Sequence, residues 1–198
     1  MKAPLFEFPS FQYDIDDWEF KKKGLLNRIN KQKFLRQVPG ENYVFLMHEG
    51  DRQTNNKSYV HYLTKLMHSE LNEFCQEAQV TCQMTDAWAV RYQKGDHQII
   101  HNHRGWGFTG VLYVEFDPKV HTPTCFMAPW QDPTNDTTTL AFPKDVKEGT
   151  VFIAPSFTHH FVKPNQVRKQ RTVVSFDLLP DLPDHQSVDN NFDESTII

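Results

Sequence analysis

Two short groups of histidines have a spacing that suggests a metal site. The first group is His97, His101 and His103, and the second is the adjacent pair His159 and His160. Side chains two positions apart on an extended segment point to the same face, so His101 and His103 converge on one point. Imidazole is the commonest protein ligand for metals and suits iron, zinc, copper and nickel. A strand pairing that joins the two groups would place three imidazoles around one cavity.

Arg171 is a candidate anion-binding residue. It lies eleven residues after His160, at the start of a predicted strand on which Arg171, Val173 and Ser175 share one face. An arginine pointing into a β core is costly unless it meets an anion, and its planar guanidinium can hold a carboxylate through two hydrogen bonds. A small dicarboxylate that chelates a metal at one end would meet this arginine at the other. The alternative is an arginine that reaches solvent or a nearby acid.

Strand-forming sequences dominate the second half of the chain and would position these residues. Runs rich in β-branched and aromatic residues predict strands over 86–92, 109–116, 149–155 and 171–179. The stretch 118–145 predicts two shorter strands, "TCFMA" and "TTLAF", joined by a mobile loop that we interpret as a lid. A short edge strand is also predicted within residues 4–16.

The first half of the chain is predicted to form helical support for the strands. Apolar residues recur at spacings of three and four over 58–79, which predicts an amphipathic helix with Ser58 as its N-cap. Residues 17–37 carry seven basic residues. We interpret this segment as the solvated face of a helix, and the alternative is a patch that binds a polyanion such as nucleic acid.

The composition indicates an ordinary soluble protein with one core. The chain has 198 residues and a formal net charge of −4. No apolar run approaches the roughly 20 residues of a transmembrane helix, and the N-terminus lacks a signal-peptide pattern, so no membrane partner is expected. We predict one domain over 1–180, with helical support over 17–83 and a β core over 84–180. A flexible acidic tail is predicted over 181–198.

The cysteines indicate a reducing compartment. Cys75, Cys82 and Cys125 make an odd set with no CxxC spacing. This pattern favours reduced thiols over a disulfide framework or a zinc site. We therefore expect a cytoplasmic protein.

Four blocks of the sequence, in this order, resemble the 2-oxoglutarate- and Fe(II)-dependent oxygenases. The blocks are "HNHR", "TGVLYV", "PSFTHH" and "RTVVSFD", and the resemblance extends over about half of the chain, from Asp86 to Leu179. More narrowly, they resemble a family of small members seen in marine bacteria and phages, whose pattern runs HxHP, SGVYY, PSWLxH and RxSxSFN. Arg104 stands where that family has proline.

The resemblance implies a mainly β fold with flanking helices, namely a double-stranded β-helix of the jelly-roll, cupin-like type. This implied fold agrees with the strands predicted in the second half. A looser similarity to the prolyl 4-hydroxylases adds Tyr92, nine residues before His101, and the pair Thr109 and Tyr113 on one strand.

By this resemblance Fe(II) is the metal and 2-oxoglutarate is the co-substrate. His101 and His160 are the implied iron ligands, because the alignment of the third block selects His160 rather than its neighbour. Arg171 would hold the distal carboxylate of 2-oxoglutarate. Three hydroxyl-bearing residues would assist through hydrogen bonds: Tyr92, Thr109 and Ser175.

His103 stands where the superfamily usually has a carboxylate, in the order HxD/E…H. A triad of His101, His103 and His160 would leave the iron more positive and would bind a dianionic co-substrate more firmly. Alternatively, His103 supports the site without binding the metal, and Asp96 or a water completes the coordination.

The implied activity is that of a dioxygenase that uses O₂. 2-Oxoglutarate is decarboxylated to succinate while a second substrate is hydroxylated. The similarity to prolyl hydroxylases favours a protein or peptide side chain as that substrate, and nucleic acid is not favoured.

Two other functions remain compatible with the sequence. "GDHQIIHNH" and "GTVFIAPSFTHH" also fit a cupin-type metalloenzyme that uses three histidines without 2-oxoglutarate. However, the sequence lacks the glutamate that the cupin motif carries after HxH, and a cupin-type site would give Arg171 no role. The other alternative is a non-catalytic binding module, which gives no reason for three histidines and an arginine to persist together.

Overall fold

Most of the strands in the described part of the chain lie in its second half, as the sequence predicts. The computed structural model describes residues 9–31, 34–37, 45–48, 57–132 and 134–181. In chain order the elements are β1 (Phe11–Asp14), α1 (Trp18–Asn30), β2 (Phe34–Gln37), β3 (Phe45–His48), α2 (Lys57–Leu66), α3 (His68–Glu77), β4 (Cys82–Tyr92), β5 (Gln98–His101), β6 (Phe108–Glu115), β7 (Cys125–Asp132), β8 (Thr137–Ala141), β9 (Thr150–Pro155), β10 (His160–Val162) and β11 (Arg171–Pro180).

These strands form two antiparallel sheets. The larger sheet has the order β1-β9-β6-β11-β4-β3-β2, and the smaller has the order β5-β10-β7-β8. β11 lies at the centre of the larger sheet and is paired with β4 on one side and β6 on the other. The prediction of a mainly β fold with flanking helices is confirmed.

Side chains alternate along β11 and divide the interior into two cores. Val174 and Phe176 pack with the helices in one core. Val173 belongs to the other core, and with Ser175 it lines an internal cavity. Each fully buried side chain of this kind contributes about 1.5–3 kcal/mol to stability, so the strand is held from both faces. Arg171 has the same parity as Val173 and Ser175, and the strand therefore directs it toward the cavity side.

Gly110 lets β6 approach the central strand closely. A Cβ atom at this position would overlap the ring of Phe176 on β11. The glycine in the "TGVLYV" block therefore has a packing role beside the cavity that it lines.

The helices differ from the sequence-based predictions at two points. The helix predicted over 58–79 is divided at Met67, whose ψ of 23° departs from the helical value of about −42°. The helix predicted over 17–37 ends at Asn30. Residues 34–37 instead form a strand paired with β3, so tertiary pairing overrides the local helical pattern and the front part is not purely helical.

The basic face of α1 makes contacts within the fold. The Lys22 ammonium lies 2.6 Å from the Glu148 carboxylate. The Arg28 guanidinium lies 4.1 Å from the ring centroid of Tyr62. These contacts favour the interpretation of a solvated helix face.

Some predictions fall on parts of the chain that the structure does not describe. The acidic tail lies outside the described residues from residue 182 onward, and so does the side chain of Ser58.

The edge strand predicted within 4–16 is β1, which pairs with β9. Among the described residues, no helix combines the length and apolar character needed to cross a membrane.

Candidate metal centre and anion pocket

Two neighbouring strands of the smaller sheet bring the histidines together. His101 on β5 and His160 on β10 are directly paired, and their ring centroids lie 4.3 Å apart. His103 follows β5 by two residues, and its ring centroid lies 5.1 Å from that of His160 and 5.5 Å from that of His101. Potential ligand atoms of the three side chains all lie within 4.8 Å of one another. The three histidines therefore meet at one point.

Backbone carbonyls orient two of these imidazoles. His101 Nδ1 lies 2.9 Å from the carbonyl oxygen of Ile99, and His160 Nδ1 lies 3.0 Å from that of Thr158. Because a carbonyl oxygen can only accept, both Nδ1 atoms carry the proton and donate it. The Nε2 atom of each ring is then the unprotonated nitrogen that can bind a metal.

A buried carboxylate orients the third imidazole. His103 Nδ1 donates to Asp177 Oδ1 at 2.6 Å and lies 3.0 Å from the Thr109 hydroxyl oxygen. The second oxygen of Asp177 lies 3.8 Å from Arg104 Nε. The ring of Trp88 stacks on His103 with a centroid distance of 5.4 Å. His103 thus also has Nε2 available toward the other two histidines, and the Asp177 carboxylate lies on the opposite, Nδ1 side of its ring.

His160 is neutral at physiological pH. Its side chain is only 7% exposed. Burial is the main cause that lowers its pKa to about 3, and the neighbouring His101 and His103 act in the same direction. A neutral imidazole is the form that coordinates a metal.

Gln98 links the histidines to Tyr92. The buried Tyr92 hydroxyl donates to Gln98 Oε1 at 2.8 Å, and Gln98 Nε2 donates to His101 Nε2 at 3.1 Å. Burial raises the pKa of Tyr92, so its hydroxyl keeps the proton that it donates. A metal bound by the triad would replace Gln98 as the partner of His101 Nε2.

Arg171 is a buried cation with spare donors. It is 2% exposed, and its Nη2 donates to the Thr124 hydroxyl at 3.1 Å. Among the described residues, no group accepts a hydrogen bond from its Nε or Nη1. The rings of Tyr92 and Tyr113 lie 5.0 and 5.6 Å from its guanidinium carbon. Buried donors are rarely left unsatisfied, so this guanidinium is arranged to receive an anion.

The histidine cavity is bordered by residues that contact Arg171. It is lined by the three histidines and also by Tyr92 and Thr124, both of which contact Arg171. Arg171 itself lines a neighbouring cavity, which shares Tyr92 and Val162 with the first. Thr109 and Ser175, which the sequence nominated as hydroxyl donors, also line the histidine cavity. The residues present therefore fit a metal at one end and a carboxylate at the other.

The remaining sequence candidates are not members of this cluster of described residues. His159 is exposed, whereas its neighbour His160 is buried. Asp96 is buried, and its carboxylate accepts a hydrogen bond from the backbone of Gln93 at 2.9 Å. In the described part of the chain, the cluster of possible metal ligands contains neither residue, so the geometry favours His103 over Asp96 as the third ligand.

Three residues of this site were not nominated by the sequence. Asp177 lies two residues after Ser175, so the alternation argument applied to Arg171, Val173 and Ser175 extends to it. Gln98 and Thr124 have no comparable signal. Their positions depend on how β5 and β7 meet the larger sheet, which the local sequence does not encode.

Comparison with known proteins identifies the family to which this arrangement is similar. Residues 86–177 match the model of a family described as "Putative 2OG-Fe(II) oxygenase". None of the curated proteins compared with the chain matches it in sequence.

Several solved structures are similar over most of the chain. The non-heme alpha-ketoglutarate-dependent epimerase SnoN from nogalamycin biosynthesis has a TM-score of 0.65 at 12% identity, over 87% of this chain and 78% of its own. HygX from Streptomyces hygroscopicus, solved with nickel and 2-oxoglutarate bound, has a TM-score of 0.62 at 9% identity, over 88% and 84%. A Pseudomonas putida prolyl-4-hydroxylase has a TM-score of 0.57 at 12% identity, over 86% and 92%.

At these identities the structural likeness establishes the fold, which is the double-stranded β-helix predicted from the sequence. The family match covers the segment that holds the three histidines and Arg171. Together the two findings confirm that this chain resembles the 2-oxoglutarate- and Fe(II)-dependent oxygenase superfamily.

Proposed function

We propose that the protein is a 2-oxoglutarate- and Fe(II)-dependent dioxygenase that hydroxylates a protein or peptide side chain. One observation carries the proposal. Beside a cavity lined by three histidines lies a buried guanidinium with two donors that no described residue satisfies. A dicarboxylate that chelates a metal at one end needs metal ligands there and a cation at the other end. When bound, Fe(II) and 2-oxoglutarate supply the activation of O₂, with succinate as the decarboxylated product.

The three histidines are the proposed metal ligands, each through Nε2. Oxygen acceptors on the Nδ1 side of His101, His103 and His160 fix the tautomer that leaves Nε2 available. Three protein ligands leave further coordination positions open for a chelating co-substrate and O₂. A reducing cytoplasm, which we propose as the location, would keep the metal as Fe(II).

Asp177 is proposed to compensate for the absence of a carboxylate ligand. Three neutral imidazoles bring no negative charge to the metal, unlike the usual pair of histidines with one carboxylate. Asp177 is 5% exposed and accepts the Nδ1 proton of His103, which makes that imidazole a more basic ligand. Thr109 contacts the same nitrogen, and we therefore propose that it orients His103 rather than the co-substrate.

Replacing Asp177 with asparagine tests this compensation. Asp177→Asn keeps the shape of the side chain and removes its charge. We expect the affinity for Fe(II) to fall about 10–100-fold, the range observed when outer partners of metal ligands are lost. Anaerobic calorimetric titration with Fe(II) measures the effect. Asp132→Asn is the matched control, because the Asp132 carboxylate accepts a hydrogen bond from the Thr134 hydroxyl in the β7–β8 turn and contacts none of the three histidines in the described structure. Equal affinities in both variants would contradict the role of Asp177.

The Arg171 guanidinium beside the histidine cavity is proposed to hold the distal carboxylate of 2-oxoglutarate. Arg171 would donate from Nε and Nη1, the two atoms without a partner among the described residues. Its third nitrogen is already held by Thr124, which limits rotation of the guanidinium. Tyr92 packs against the same guanidinium, and Ser175 lines the histidine cavity.

An adjacent groove is proposed to receive the primary substrate. It has a volume of about 520 Å³, and its wall includes Trp130 and Phe142 from the β7–β8 hairpin. Phe126 and Phe152 line both this groove and the histidine cavity, with ring centroids 4.9 Å apart. The stretch predicted as a lid is thus a hairpin that forms one side of the groove. An apolar groove of this size suits an apolar side chain presented by a polypeptide.

An anaerobic titration with Fe(II) and then 2-oxoglutarate tests the proposed function. We expect a weak visible charge-transfer band that appears only when both are present, because only a chelated keto acid produces it. If Fe(II) binds and 2-oxoglutarate produces no band, the cupin-type alternative without 2-oxoglutarate is favoured instead. If the band does appear, succinate release in the presence of proline-containing peptides tests the substrate class.

A further inference from the structure

Two cysteines contact each other where α3 ends and β4 begins. The Sγ atoms of Cys75 and Cys82 lie 3.4 Å apart, and both side chains are half-buried. A disulfide has an S–S distance of about 2.05 Å, so the sulfurs need to approach by roughly 1.4 Å. We propose that Cys75 and Cys82 form an oxidation site that closes to a reversible intramolecular disulfide.

The backbone already holds the two residues close together. The N–H of Val80 donates to the carbonyl of Cys75 at 3.0 Å. Between them the chain turns at Gln79, whose φ of 55° lies in the left-handed region. Cys82 is the first residue of β4 and is paired with Pro180 on β11. Because secondary structure fixes both anchors, rotation of the two side chains can supply the remaining approach.

Packing alone does not account for this pair. Both side chains border the helix-side core, where a free cysteine can serve as a small apolar residue. Cys125 has that role, since it is fully buried. Cys75 and Cys82 differ from it in two respects: their thiols touch each other, and both remain partly open to solvent. A soluble oxidant can therefore reach the pair but not Cys125.

Hydrogen peroxide is the class of oxidant that we assign to this site. Burial, followed by the hydrogen bond with Cys75, raises the pKa of Cys82 to about 12. Cys82 therefore stays protonated at neutral pH, and Cys75 takes the first step. The Cys75 thiol gives its proton to solvent, the sulfur attacks a peroxide oxygen, and the O–O bond breaks to give a sulfenic acid and hydroxide, which takes a proton back from solvent to form water.

The second step consumes the Cys82 thiol. The Cys82 sulfur attacks the sulfenic sulfur of Cys75, the S–O bond breaks, and the departing hydroxide takes the Cys82 proton to form a second water. In total, two thiols are oxidised to one disulfide and one peroxide is reduced to two waters. A thiol reductant reverses the reaction.

The bond would join α3 covalently to β4. It closes a loop of eight residues, Cys75 to Cys82. Closing a loop of this length raises the melting temperature by about 5 °C in a chain of this size. Further along, β4 also carries Trp88 and Tyr92, which line the histidine cavity. The disulfide would therefore stabilise β4, the strand that supports the site, without involving a residue proposed to bind the metal or the co-substrate.

The test uses the full chain, reduced, freed of metal with a chelator and treated with equimolar hydrogen peroxide. Free thiols are then blocked, and the protein is digested for mass spectrometry. No lysine or arginine lies between Lys65 and Arg91, so trypsin leaves both cysteines in one peptide. Cleavage after Glu77 separates them, so a cross-linked product from that digest demonstrates the bond. Thermal unfolding with and without a thiol reductant measures the shift.

We expect the cross-linked product and the shift of about 5 °C in the wild type and in Cys125→Ser. Both should be absent in Cys75→Ser and Cys82→Ser. Circular dichroism of the reduced variants shows whether they fold, and Cys75→Ala serves as a second variant. Over-oxidation of Cys75 without a cross-link, or a bond that involves Cys125, would overturn the proposal. Because no metal is present, the result is independent of the proposed oxygenase activity.

Discussion

Replacing His160 with alanine is expected to lower the affinity for Fe(II) more than about 100-fold, since loss of an outer partner alone costs 10–100-fold. His160 is the buried member of the triad, and its ring centroid lies 4.3 Å from that of His101. Without it, two histidines remain, and both belong to the segment around β5. Anaerobic calorimetric titration with Fe(II), repeated with Ni(II) to avoid oxidation, measures the loss.

The neighbouring residue provides a matched control for this change. His159 is exposed, and it supports the hairpin through its backbone carbonyl, which accepts from Met127 N at 2.8 Å. His159→Ala keeps that carbonyl and should bind Fe(II) as the wild type does. His160→Gln approximates the volume of the imidazole and separates loss of a ligand from loss of packing against Phe126. Equal weakening by His159→Ala and His160→Ala would contradict the proposed triad.

The strands that the sequence predicted over most of their length are those with long apolar runs, whereas β1, β7 and β8 were predicted only as short strands within longer stretches. β4, β6, β9 and β11 belong to the larger sheet, and each carries enough β-branched and aromatic residues to be recognised alone. β5 and β10, which carry the histidines, are four and three residues long. Such short segments are strands because of their neighbours, and a local pattern cannot reveal them.

The candidate site shows the same division between local and tertiary information. The two histidine groups stand out by their residue type and close spacing, and Arg171 stands out because a guanidinium is unusual on a predicted strand. The role of Asp177 depends on its hydrogen bond to His103, which lies 74 positions away in the sequence. Gln98 and Thr124 likewise gain a role only through contacts made in the fold, with His101 and Arg171 respectively. Chemistry was therefore predictable from residue type, whereas the hydrogen bonds that tune it were not.

Replacing Arg171 with methionine is expected to have opposite effects on binding and on stability. Arg171→Met should weaken 2-oxoglutarate binding at least about 100-fold, because two hydrogen bonds to a charged group contribute about 1.5–3 kcal/mol each. The metal-free protein should nevertheless be at least as stable as the wild type, with a free energy of unfolding up to about 3 kcal/mol higher. Methionine fills a similar volume and removes a buried cation whose Nε and Nη1 have no partner among the described residues.

A purely structural role for Arg171 predicts a loss of stability and no change in 2-oxoglutarate binding. The aromatic rings of Tyr92, Tyr113 and Phe116 surround the guanidinium at 5.0 to 6.0 Å. If these cation–π contacts were the reason for the arginine, methionine would lower the free energy of unfolding by about 1–2 kcal/mol and leave 2-oxoglutarate binding unchanged. Urea denaturation of the metal-free protein and titration of the visible band distinguish the two cases. Arg168→Met, at an exposed position, controls for loss of a positive charge nearby. A buried cation that destabilises the empty protein and binds the co-substrate is a group retained for function.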